Sequence, residues 1–410
     1  MKPEEVRAAG RLGAELYSGT VANIEEAHLQ IAGAALRHIP RSAPFDAIQG
    51  TATRATYEIV RIAGTTIGHL ASDLLERSGV GSSIQVGANG TSNHVIAALN
   101  AAVGDRLESE GNPLAIAMAV RLGGSDVPIE RQVLGLAYPD ATSRIAVFVH
   151  GLGETEMSWR MNAGPDSVSY GSRLASELGY TPVYLRYNTG RHISENGREL
   201  AGLLDQLASR WPSPEPVSEF LLVGHSMGGL VIRSGCHYGS AEERAFVPLV
   251  RNIFTLGSPH LGAPLARWAQ FAGWALHKRK TPVPFGALLT ERSAGIDDLR
   301  HGYLTDEDWT GCDSNTCREN HRRDVPLLKT ANHYTVSATV AREPDSLVGQ
   351  MVGDLLVQPA SAHGRATRRR PEQHISFQPG TSHDLGGHHH LSLLNDEAVY
   401  DVIAGRLAAA

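Results

Sequence analysis

Residues 220–232 read Phe-Leu-Leu-Val-Gly-His-Ser-Met-Gly-Gly-Leu-Val-Ile. An apolar run of strand character leads into Gly224-His225-Ser226-Met227-Gly228, and an apolar run of helical character follows. A Gly-x-Ser-x-Gly spacing between a strand and a helix has a steric reason: the serine occupies a sharp, strained turn, and flanking glycines let neighbouring backbone approach where a Cβ would clash. Ser226 is therefore the candidate nucleophile, expected to stand exposed at the end of a sheet. Its place at a helix N-terminus favours negative charge developing nearby.

Outward from this elbow the pattern is that of a parallel sheet wrapped by helices. Short β-branched runs at 144–150, 181–187, 219–224, 251–257 and 333–340 alternate with amphipathic segments at 170–178, 194–210, 227–238 and 396–407. A weaker strand candidate covers 374–378. Residues 261–332 hold Pro, Trp and mixed helical segments without a clear strand, and read as an insertion in the position of a lid. Ahead of Tyr138, residues 1–137 read as a helical region, with no convincing strand up to about residue 125 and helices at 21–37, 55–75 and 94–108. Its apolar faces call for a covering role on the catalytic region 138–410; dimerisation or a membrane-facing surface are the alternatives.

A nucleophilic serine needs donors for the oxyanion, a base, and a carboxylate that orients the base. The strand Ile145–Val149 ends in His150-Gly151-Leu152-Gly153, so the backbone N–H groups of Leu152 and Met227 are the candidate oxyanion donors. For this kind of elbow the chain order is serine, acid, histidine. After the run at 333–340 come Asp345 and Asp354, and the small-residue loop Gly-Asp-Leu-Leu-Val-Gln-Pro-Ala-Ser-Ala makes Asp354 the choice over Asp345. His388, His389 and His390 precede the last helix; His390, nearest to it, is taken as the base and His389 as the alternative. Adjacent histidines rarely converge on one ion, so no metal is expected there, nor any organic cofactor for this chemistry. His260, in a tight Pro turn ahead of the acid, is read as a structural hydrogen-bonding residue.

From Ala137 onward the chain resembles a lipase/esterase branch of the α/β-hydrolases, the branch with GPI inositol-deacylase-like proteins and bacterial triacylglycerol lipases. The stretches that carry the likeness are VFVHGLGET (147–155), LRYNTGRHISENGR (185–198), LLVGHSMGGLVIR (221–233), FTLGSPHLGAPLAR (254–267), VGDLLVQPASA (352–362) and HHHLSLLNDEAVY (388–400). The resemblance implies an α/β-hydrolase fold with a lid-like insertion. It implies Ser226, Asp354 and His390 as a catalytic triad, and an ester with an apolar acyl or alkyl part as substrate. An acyltransferase or thioesterase with the same triad is the alternative, and a non-catalytic interaction protein on a hydrolase fold is a further one.

Composition narrows the partners. With 42% hydrophobic and 20% charged residues and a formal charge of -6, the chain has no phosphate-tracking basic face, so nucleic acid is not expected. Glu4 and Glu5 stand where a secretory signal would carry positive charge, and no run reaches the ~18 to 20 apolar residues of a membrane span. A cytoplasmic protein acting on a small-molecule or lipid ester is the expectation. Peripheral membrane contact, for instance through Arg365, Arg368, Arg369 and Arg370, is the alternative to a solvated loop. Of the cysteines 236, 312 and 317, Cys312 and Cys317 share a polar loop and could bridge in an oxidising compartment; zinc on these two with His321 lacks a fourth ligand.

Overall fold

The computed structural model describes residues 90–164, 168–263, 293–310, 322–365 and 374–409. The helices expected at 21–37 and 55–75, Cys312, Cys317, His321 and Arg368 to Arg370 lie outside them.

Eight strands form one sheet: β1 (Ala119–Leu122), β2 (Ser125–Val127), β3 (Arg144–Val149), β4 (Thr181–Arg186), β5 (Glu219–His225), β6 (Val250–Leu256), β7 (Asn332–Thr339) and β8 (Ser382–Gly386), in the order β2-β1-β4-β3-β5-β6-β7-β8. From β4 to β8 every pairing is parallel, while β1 runs antiparallel to both its neighbours. Strands β3 and β5 are apolar and buried almost end to end, as strands covered on both faces must be. Alternation sorts their side chains into two cores: Ile145, Val147, Phe220 and Leu222 on one face, Ala146, Phe148, Leu221 and Val223 on the other.

The helices are α1 (Gly90–Ser109), α2 (Arg131–Ala137), α3 (Tyr170–Leu178), α4 (Ile193–Arg210), α5 (Met227–Ala241), α6 (Ala294–His301) and α7 (Glu397–Ala408), with shorter helical turns between. Leu200, Leu204 and Leu230 of α4 and α5 fill the first core; Leu174 of α3 and Val399 and Ile403 of α7 fill the second. Local chemistry sets the ends. Ser169 and Ser172 form a capping box on α3, Gly179 closes it in the left-handed region, and Asp396 caps α7 by accepting from Ala398 and Val399.

Two expectations are corrected. Residues 119–127, read as helix and loop, form the β1–β2 hairpin; Leu122 pairs with Ser125 across Gly123-Gly124, both at positive φ, the backbone a two-residue hairpin turn demands. Residues 374–378 form no strand. Ile375 instead packs from a loop onto Gly364, its N–H donating to the Gly364 carbonyl at 2.8 Å, and β8 lies further on at Ser382–Gly386.

β8 is held to β7 by a buried polar network. His363 lies 2.7 Å from Asp384 through Nε2 and 2.6 Å from the Thr335 hydroxyl through Nδ1; Ser337 donates to the same Asp384 oxygen. Nearby, His333 Nε2 donates to the Leu328 carbonyl at 3.1 Å and is buried enough that its pKa is pushed down to about 4. Unfolded, the same imidazole takes its proton near ~6.5. Stability is thus fully present above that pH, declines as pH falls from there toward the folded value, and levels off below it, by at most about 1.4 kcal/mol per pH unit from this group. Urea unfolding at pH 7, 5.5 and 4 should show this decline, and a His333→Gln protein, which keeps the donor but not the titration, should show a shallower one. Equal slopes for the two proteins would remove His333 from the acid response.

Candidate active site

Strand β5 delivers Ser226 to the C-terminal end of the sheet. The residue takes φ 54 and ψ -121, a conformation that non-glycine residues adopt only under constraint. Its N–H donates to the Leu256 carbonyl at 2.8 Å, which ties the elbow to the end of β6. The flanking glycines are obligatory: a Cβ on Gly224 would lie 2.6 Å from the Gly229 nitrogen, and one on Gly228 2.1 Å from the Val149 carbonyl oxygen. The serine is 1% exposed, a correction to the exposed position expected, because the loop after β3 closes over it. A Cβ on Gly151 would lie only 3.0 Å from Ser226 Cβ. Among the described residues Ser226 Oγ has no hydrogen-bond partner.

The loop after β3 carries the expected oxyanion donors beside this serine. Gly151 donates its N–H to Glu154 at 2.9 Å, and Leu152 follows directly. Met227 opens α5. Among the described residues neither the Leu152 nor the Met227 N–H donates a hydrogen bond. Wholly buried His150 supports the loop: Nδ1 donates to the Gly151 carbonyl at 2.9 Å, and its ring stacks on Tyr187, 4.5 Å between centroids. Burial lowers its pKa, so it serves as a neutral donor.

Asp354 and His390 come together from the loops after β7 and β8. Asp354 Oδ2 lies 2.6 Å from His390 Nδ1, with the two side chains 1% and 2% exposed. The other carboxylate oxygen accepts from the Leu356 and Val357 N–H groups at 2.9 and 2.7 Å, and the Asp354 carbonyl accepts from the His390 N–H at 3.1 Å. Two backbone donors thus fix the carboxylate, and the carboxylate fixes the ring. Gly257, at φ 60 just past the Leu256 carbonyl that holds Ser226, gives the imidazole its place: a Cβ there would lie 3.0 Å from His390 Cε1.

The alternatives are placed elsewhere. Asp345 is exposed. His388 spans the Gly386 carbonyl and the α7 cap Asp396, at 2.7 and 2.9 Å, and His389 accepts the Ser392 N–H through Nδ1 at 3.2 Å. His260 is buried with Nε2 3.1 Å from the Thr255 hydroxyl, consistent with a structural hydrogen-bonding residue.

The insertion between β6 and β7 reaches the site through its described part. Ala294 N–H donates to Asp105 at 2.9 Å and Gly295 N–H to the Gly190 carbonyl at 3.0 Å; a Cβ on Gly295 would lie 3.1 Å from the Met227 methyl. Trp309 stacks on His192 at 3.7 Å, and Asp298 binds both the His192 ring at 3.1 Å and the Ile193 N–H at 2.7 Å. This part of the insertion is pinned to α1 and to the start of α4.

Glu154 and His225 went unassigned in the sequence. His225 Nδ1 lies 3.0 Å from Glu154 Oε1, beside the serine. The available signal was a histidine at a strand position that must be buried, immediately before Ser226.

A parallel sheet with an antiparallel edge hairpin, a serine on a strand-to-helix elbow, and an aspartate and histidine following it in that chain order are the marks of the α/β-hydrolase class. The chain belongs to the alpha/beta hydrolase family, which residues 146–402 match. Among solved structures it is similar to the mature form of the Bacillus licheniformis lipase BlEst2, at 19% identity over 64% of this chain and 91% of that one, TM-score 0.39. It is also similar to the Bacillus subtilis carboxylesterase CesB, at 13% identity over 66% and 85%, TM-score 0.36. The thioesterase RedJ of the Streptomyces coelicolor prodiginine pathway matches at 16% identity over 66% and 91%, TM-score 0.36. None of these likenesses bears on substrate. No curated protein matches the chain. No helix among the described residues is long and apolar enough to cross a membrane.

Proposed function

We propose that the protein is a serine hydrolase that cleaves carboxylic esters with an apolar acyl or alkyl part through an acyl-serine intermediate. The observation that carries this reading is the buried Asp354–His390 pair, 2.6 Å apart, set over the strand end that holds the strained Ser226. In this reading His390 accepts the Ser226 proton as Oγ attacks the ester carbonyl, and the Leu152 and Met227 N–H groups receive the oxyanion. The imidazolium returns its proton to the leaving alcohol, and water activated by the same histidine then releases the acid. Support for an apolar substrate comes from the acid loop, where Met351 and Leu355 stand 67% and 36% exposed on either side of Asp354.

A fluorophosphonate probe should label Ser226 covalently in the folded protein, and Ser226→Ala should take no label. Peptide mapping that finds no adduct at Ser226 would overturn the enzyme reading. Over a p-nitrophenyl ester series kcat/KM should rise from acetate to octanoate, by up to about 0.8 kcal/mol of binding per buried methylene. A steady fall along that series would contradict an apolar acyl site.

A further inference from the structure

Directly before the nucleophile, His225 is wholly buried, and both of its ring nitrogens face acceptors. Nδ1 lies 3.0 Å from Glu154 Oε1, and Nε2 lies 3.3 Å from the main-chain carbonyl oxygen of His390. A carbonyl can only accept, so Nε2 carries a proton. The Glu154 carboxylate also accepts, from His225 Nδ1 and from the Gly151 N–H at 2.9 Å. With Glu154 ionised, both ring nitrogens face acceptors and His225 is an imidazolium. The electrostatics agree: burial pushes the Glu154 carboxyl up, but the adjoining His225 overrides it and leaves it pulled down to about 2. Burial works against charge on His225 as well, and Glu154 overcomes that, raising its pKa.

The location gives this ion pair a task. A Cβ on Gly151 would lie 3.0 Å from Ser226 Cβ and 3.1 Å from Glu154 Oε1, so the carboxylate flanks the nucleophile and the loop of the oxyanion donors. Alone there, a negative charge would oppose the oxyanion in a low-dielectric site. The His225 ring, 4.7 Å from that of His390, brings the compensating cation and reaches the base's backbone at the same time.

We propose that Glu154 and His225 are positioning residues: an ion pair that fixes the oxyanion loop at Gly151 to the main chain of His390, with the His225 cation cancelling the Glu154 carboxylate where the oxyanion forms. The inference rests on Ser226 acting as the nucleophile.

The two charges are separable by substitution. In the full-length protein His225→Gln keeps a side-chain donor but strips the cation and leaves Glu154 uncompensated; kcat on p-nitrophenyl butyrate should fall about 100-fold with KM little changed. Glu154→Gln keeps an acceptor for Gly151 and should cost only about tenfold. The double variant, with no lone carboxylate, should recover at least about tenfold over His225→Gln, and the fluorophosphonate labelling rate should follow the same order. A purely structural pair predicts losses that accumulate in the double variant, together with lower melting temperatures. His225→Gln with wild-type kcat, or a double variant no faster than His225→Gln, overturns the proposal. Should His225→Gln fail to fold, Glu154→Gln decides it: unchanged kcat and labelling overturn the pair's role. A wild-type protein that takes no label at Ser226 sinks the hydrolase reading and this inference together, whereas a labelled wild type with an equally reactive His225→Gln sinks only the pair.

Discussion

Replacing His390 by Ala is expected to lower kcat by roughly 10⁴ to 10⁶, the scale on which a serine hydrolase loses its base. The expectation follows from how tightly the ring is specified. Asp354 holds Nδ1 at 2.6 Å, the His390 N–H is spent on the Asp354 carbonyl, and the missing side chain of Gly257 leaves the space the ring fills. His389→Ala should leave kcat within a few-fold, because that ring serves to accept the Ser392 N–H; losing such a cap costs about 1 kcal/mol of stability. His388→Ala removes the contact with Asp396 at 2.9 Å and should likewise register as melting temperature and not as rate. Steady-state rates and thermal scans on the three variants separate these outcomes. A folded His390→Ala that keeps activity, beside a dead His389→Ala, would shift the base by one residue.

Asp354→Asn should cost about 10⁴ in kcat at nearly unchanged stability. The Asn oxygen can keep accepting from Leu356 and Val357, which already hold Oδ1 at 2.9 and 2.7 Å. That leaves the amide NH₂ facing His390 Nδ1. Facing a donor, Nδ1 must become the acceptor and the proton moves to Nε2, so the ring can no longer take the serine's proton. The loss is of tautomer, not of place, and it should appear in the rate of fluorophosphonate labelling as well as in turnover. A variant that labels at the wild-type rate would show that Asp354 is not the orienting acid.

Much of this arrangement was legible because the decisive segments obey strong steric or burial rules. β3 and β5 are buried on both faces and so read as unbroken apolar runs, and the glycines around Ser226 announce close backbone approach. Asp354 and His390 are 36 residues apart; chain order narrowed the candidates, and the small-residue loop around Asp354 and the nearness of His390 to the last helix made the choice over Asp345 and His389. β8 was missed for a physical reason: its sequence Ser-His-Asp-Leu-Gly turns polar side chains into the network of Thr335, Ser337 and His363, so no hydrophobic alternation marks it. Residues 374–378 do alternate, His-Ile-Ser-Phe-Gln, but Ile375 reaches the interior from a loop. The β1–β2 turn was readable in Gly123-Gly124, although strands of four and three residues are too short to show a period. The Glu154–His225 pair joins residues 71 apart, and a glutamate in Gly-Leu-Gly-Glu-Thr looks like any solvated turn residue until its partner is placed.

Five histidines among the described residues lie against a carboxylate: His192 on Asp298, His225 on Glu154, His363 on Asp384, His388 on Asp396 and His390 on Asp354. In a proton NMR spectrum each imidazole N–H so held, if shielded from exchange with water, will resonate far downfield of the amide envelope. The low-field region of this protein is therefore expected to be crowded, and the shortest contact, at His390, should compete for notice with that of His363 at 2.7 Å. Assignment then goes by subtraction. The resonance absent from the His390→Ala spectrum belongs to His390 and, if that ring is the base, should be displaced when an organophosphonate occupies Ser226, while the His363 signal should stay fixed through both as an internal reference.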